Sequence, residues 1–136
     1  MSLTRPQQQQ LIKIAKDSIT YGLKHGSALP INSKNYSLEL QAQRATFVTL
    51  KIKQQLRGCI GMLEATRPLV IDIAENAFAA AFNDPRFTSL STTEYALLEI
   101  HLSILSPAEA LSFYSEEDLI RQLRPGIDGL IMQEGR

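Results

Sequence analysis

Apolar residues recur along this chain with two periods, and the switches between them mark the elements. From about Gln7 to Lys24, Leu11 or Ile12, Ala15, Ile19 and Leu23 return every three or four positions, the spacing of a helix with one buried face. Pro6 suits its first turn and Gly26 its end. Ser27 to Asn35 is rich in Ser, Asn and Pro and reads as a loop. The period then drops to two. Val48, Leu50 and Ile52 alternate with Phe47, Thr49 and Lys51, which predicts a strand from Thr46 to Lys53. After a polar break at Lys53-Gln54-Gln55, a second strand runs from Leu56 to Leu63, so the pair reads as a hairpin. Pro68 opens a second helix to Phe82, with Leu69, Ile73, Ala77 and Ala81 in one stripe and Ala74 and Phe78 beside it. Ala79-Ala80-Ala81 leaves thin side chains that permit close packing on a sheet. Asn83-Asp84-Pro85 ends the helix, because proline lacks an amide proton and disfavours helix just before it.

Ser91-Thr92-Thr93-Glu94 resembles a capping box for a short helical turn. A third strand spans about Leu97 to Leu105, with Leu98, Ile100, Leu102 and Ile104 on one face and Glu99, His101 and Ser103 on the other. Ser106-Pro107-Ala108-Glu109 is expected to cap a helical turn, Ser115 to cap another short helix to about Leu123, and Ile127 to Met132 to form a last strand after a Pro125-Gly126 turn. Hairpins and mixed helices without regular strand–helix alternation predict a single α+β domain over residues 1–136.

Composition narrows the class. A chain of 136 residues holds one ordinary core. Lysine plus arginine equal aspartate plus glutamate at 14 each, interspersed, so there is no basic stripe for a nucleic acid. No apolar run approaches the roughly 18 residues of a membrane span, and the first residues have no signal-peptide core. One cysteine argues for a reducing compartment, so the expected location is cytoplasmic.

That cysteine lies in Leu56-Arg57-Gly58-Cys59-Ile60-Gly61. Glycines inside a strand mark a bulge or a close backbone approach, either as a packing device or where a ligand meets the chain. Cys59 is a candidate nucleophile, with the small buried hydrophobe as its plain alternative. Arg57 is a candidate to favour its thiolate or to hold an anionic substrate group by a forked pair of bonds; otherwise it forms an ion pair with Glu64 or another acid. His101 is a weaker candidate base, with Glu99 or Asp84 to orient it. Asp84 and Arg86 flank Pro85, either in a local Asx turn or in the same cleft as Arg57. Glu94 is assigned to its capping box. Tyr36, Phe47, Phe78, Phe82 and Phe87 read as core or core edge. No short-spaced ligand pair suggests a metal, and no cofactor is implied.

Leu56-Arg57-Gly58-Cys59-Ile60-Gly61 resembles the hallmark of the AMMECR-one domain family. Thr46-Phe47-Val48-Thr49-Leu50, Ala79-Ala80 with Asp84-Pro85-Arg86-Phe87, and Glu94 with Ile100-His101-Leu102-Ser103-Ile104-Leu105 resemble its other stretches in the same order. The resemblance implies an α+β fold with a mainly antiparallel sheet and an intracellular protein. It suggests an enzymatic role for the motif; the residues themselves then give Cys59, Arg57 and, more weakly, His101 as catalytic candidates, with Gly58, Gly61, Arg86 and Asp84 to bind a small anionic substrate. A non-catalytic interaction module with a structural motif is the alternative. It also implies association with a Memo-like protein and a radical-SAM protein. Family members usually continue past Gly129-Leu130-Ile131, so this chain is expected to be a natural short form, a truncation, or a homodimer whose partner fills the gap.

Overall fold

The computed structural model describes residues 3–61, 64–105 and 110–114. Helix α1 spans Arg5–His25; Thr4 caps it through a capping box with Gln7, and Gly26 closes it in the left-handed conformation at φ 74°. A 3₁₀ turn at Ser33–Asn35 and helix α2 at Leu38–Gln41 follow, and α2 buries Leu40. Strands β1 (Ala45–Ile52) and β2 (Gln55–Gly61) form the expected hairpin. Helix α3 covers Leu69–Phe82, α4 covers Thr92–Tyr95, and strands β3 and β4 cover Leu98–Leu105 and Ala110–Tyr114.

The sheet is antiparallel throughout, in the order β2-β1-β3-β4. This is the α+β architecture the periods predict. Ala110–Tyr114 is a strand and not the continuation of a helical turn from Pro107. Its Leu111 and Phe113 pair with Ile104 and Leu102 and extend the apolar face of β3. The Ser106–Glu109 cap, the end of the second predicted strand at Met62-Leu63, and the elements predicted beyond Ser115 lie outside the described residues.

One face of the sheet carries Val48, Leu50, Ile100, Leu102 and Ile104, all buried, against α1 and α3. Burial of each contributes on the order of 1.5–3 kcal/mol. The other face carries Phe47, Thr49, Cys59, His101, Ser103 and Ser112, because directly paired residues project to the same side. The alanine stripe brings the layers close. A Cβ on Gly22 of α1 would stand 2.6 Å from Phe82 and 2.7 Å from Phe78 of α3. One polar cluster lies inside this packing. Asp72 and Asn76 of α3 bond the Thr46 hydroxyl at 2.6 and 2.9 Å, and Arg67 donates to Asp72 at 2.6 Å.

Candidate functional site

The hairpin turn consists of Lys53 and Gln54, both with positive φ, at 52° and 68°. This signature matches the tight turn that follows strand twist, but it uses residues with a Cβ where glycine or asparagine is usual. Down the returning strand, Leu50 pairs with Gly58 while Lys51 pairs with Leu56, so Arg57 is the extra residue of a bulge. The bulge breaks the simple alternation that would put Arg57 on the same face as Cys59.

Arg57 is instead buried among the segments that follow α3. Its Nε and Nη2 form a fork on Glu94 at 2.9 and 3.0 Å, and Nη2 also donates to the Thr88 carbonyl at 2.7 Å. The acid that pairs with Arg57 is therefore Glu94 and not Glu64. Glu94 also closes the predicted capping box on Ser91. The Arg57 fork, followed by the Ser91 amide, pushes the Glu94 carboxyl down to about 2.

The close approaches at the motif glycines are to the protein itself. A Cβ on Gly58 would overlap the Ala80 carbonyl oxygen of α3. One on Gly61 would collide with the Phe47 ring and stand 2.6 Å from the Thr46 carbonyl oxygen. Gly58, named above among substrate-binding residues, is buried and turned toward α3.

Cys59 is half-buried, and Thr49 is its side-chain neighbour, with Oγ1 3.3 Å from Sγ. Thr49 pairs with Cys59 on one side and His101 on the other. The two proposed catalytic partners thus share a face but flank β1, with roughly 9–10 Å between their backbones. A direct Cys59–His101 pair is replaced by a row in which Thr49 stands between them.

Asp84 links the turn after α3 to the motif. Its Oδ2 accepts the Cys59 amide at 3.0 Å and Arg86 Nη2 at 2.7 Å. Its Oδ1 accepts the Arg86 amide and Nε, both at 3.0 Å, which makes the expected Asx turn. The Arg86 side chain, then its backbone amide, holds the Asp84 carboxyl well below the usual carboxylate range. Arg86 is favoured in its charged form first by Asp84 and, as the smallest contribution, by the charge Cys59 can carry. Arg86 is thus linked, through Asp84, to the backbone of Cys59. The guanidinium carbons of Arg57 and Arg86 each lie 5.5 Å from the centre of the Phe87 ring, so these three residues do converge.

Thr49 as the thiol's neighbour and Glu94 as the acid of Arg57 were not legible from spacing, since each depends on a tertiary contact. Among the described residues, no group of three or more His, Cys, Asp or Glu gathers to hold a metal ion. A groove of about 550 Å³ lies elsewhere, lined by Gln9, Ile12, Lys13, Lys16, Asp17 and Tyr95.

These features define an α+β domain in which a glycine-rich hairpin strand is pressed onto an alanine-rich helix and clamped by the turn that follows. The chain belongs to the AMMECR1 family, whose model matches residues 12–136. It is 36% identical to a protein of Methanothermobacter thermautotrophicus over 98% of this chain and 69% of that one. It is 39% identical to a protein of Sulfolobus acidocaldarius over 93% of this chain and 57% of that one. The crystal structure of the uncharacterized protein PH0010 from Pyrococcus horikoshii is similar, with a TM-score of 0.66 and 32% identity, covering 73% of this chain. The chain spans 51% of the length of PH0010. No helix among the described residues is long and apolar enough to cross a membrane.

Proposed function

We propose that this domain is a cytoplasmic enzyme subunit whose small-molecule site is centred on the Cys59 thiol, with Arg86 as its cation. The observation that carries the reading is the double use of Asp84 Oδ2, which accepts the Cys59 amide and an Arg86 N–H together. That shared acceptor fixes a guanidinium beside the strand bearing the chain's one cysteine. The thiolate is the reactive form of cysteine, and a neighbouring cation attracts it. The Thr49 hydroxyl adds a hydrogen-bond partner to the sulfur. His101 acts at most across Thr49 and not as a contacting base.

The test is alkylation of Cys59 by iodoacetamide across pH, in the wild type and in Arg86→Gln. The expected result is slower labelling of the variant at neutral pH and a higher pH midpoint. Equal rates, with both midpoints near the free-thiol value of roughly 8.5, overturn the reading.

A second reading, a non-catalytic interaction module, draws on a different observation: Arg57, Asp84 and Glu94 spend their charge on one another or on Arg86. On that reading Cys59→Ser leaves capture of a Memo-like or radical-SAM partner unchanged.

A further inference from the structure

We infer that Arg57 and Arg86 together clasp an oxyanion, a carboxylate or a phosphoryl group, at the Phe87 ring. This inference rests on the thiol-centred site proposed above and names the class of substrate it takes.

A guanidinium offers five N–H donors. Arg57 spends Nε and Nη2 on Glu94 and on the Thr88 carbonyl. Its Nη1 is buried and has no hydrogen-bond partner. The side chain is only 9% exposed, so little water reaches it. A buried charged donor left without an acceptor is costly and calls for an explanation. Arg86 likewise commits Nε and Nη2 to Asp84, while its side chain remains 56% exposed. Both guanidinium carbons stand 5.5 Å from the same ring centre, one on a buried side chain and one on an exposed side chain. Glu94 and Asp84 therefore act as positioning residues, each gripping one edge of an arginine and leaving Nη1 for a ligand.

The ligand class follows from this arrangement. Two arginines and two carboxylates leave little net charge, so recognition comes from aimed donors and not from a broad positive field. Charge-assisted bonds to an oxyanion are roughly twice as strong as those between neutral groups, which favours carboxylate or phosphate oxygens over a plain carbonyl. With few such bonds, the affinity of a bare anion belongs in the millimolar range.

The test titrates the full chain with inorganic phosphate and, separately, with acetate. Sodium chloride holds the ionic strength constant, and the backbone amide resonances of Cys59 and Phe87 are followed by NMR. Saturable shifts with phosphate, acetate or both are expected, and which of them binds identifies the source of the oxyanion. Arg86→Gln should weaken binding by roughly tenfold, the loss of about one charge-assisted hydrogen bond. Shifts that do not saturate, that chloride reproduces, or that Arg86→Gln leaves unchanged overturn the clasp and assign Arg57 Nη1 to water. Because binding is read without any reaction, a Cys59 inert to alkylation alongside intact phosphate shifts sinks only the thiol reading. Normal alkylation without saturable shifts sinks only the clasp.

Discussion

Replacing Gly58 by alanine separates two explanations of a glycine in a strand: room for a ligand or room for the protein's own backbone. The added Cβ would overlap the Ala80 carbonyl oxygen and stand 3.0 Å from the carbonyl carbon. Relief requires β2 and α3 to part by on the order of 1 Å. Neither yields readily. β2 is laddered to β1 and tied to Asp84 through the Cys59 amide. α3 is pressed against α1, where Gly22 meets Phe78 and Phe82. Overpacking of this kind costs about 1–3 kcal/mol, and a backbone obstacle points to the upper end. At about 4 °C per kcal/mol for a domain of this size, Tm should fall by about 10 °C. Gly26→Ala is the control. Its position has φ 74° and nothing within 4 Å of an added Cβ, so it loses only the left-handed preference, about 1 kcal/mol. The assay is urea and thermal unfolding of both variants by circular dichroism. A Gly58→Ala protein as stable as the control or better refutes the packing argument.

Acid should weaken the clamp in a defined range. Glu94 and Asp84 both have carboxyls depressed in the folded state, so their stabilisation is complete above the unfolded values and fades as pH falls toward the folded ones. For Glu94 the window runs from 4.5 down to about 2, and urea midpoints should be level near neutrality and decline through that range. Glu94→Gln should reduce the decline and, by leaving Arg57 unpaired, cost about 1–3 kcal/mol at neutral pH, discounted for the partial exposure of Glu94. A decline unchanged by the substitution would assign the acid sensitivity to other groups. In the hairpin turn, Gln54→Gly removes a left-handed residue with a Cβ and should raise stability by about 0.5 kcal/mol after the entropy cost of glycine. A lower urea midpoint contradicts that assignment.

Local physics made most elements readable. Val48, Leu50 and Ile52 follow the strand period, and Leu69, Ile73 and Ala77 the helix period, because each lies on one buried face. β4 escaped because five residues with only Ser112 to break the apolar run give no clear period of their own; its pairing with β3 defines it. The four motif segments are neighbours in space, which their order along the chain did not reveal. Their roles were less readable. Arg57 lies two residues from Cys59, and only the bulge at Leu50 and Lys51 reveals that its partner is Glu94, 37 positions away. Asp72 and Asn76 occupy polar positions beside an apolar stripe, a pattern that a solvated helix edge would share until Thr46 is seen against them.

Among the described residues β2 is an outer strand, and an outer strand with free amides invites another chain to continue the sheet. Asp84 takes up the Cys59 amide at this border, so an arriving segment meets a carboxylate where it needs a donor. The residue that positions the cysteine therefore also withdraws one donor from that border. Loss of Asp84 would expose the border as well as the thiol, so aggregation of such variants and failure of the site would share one origin.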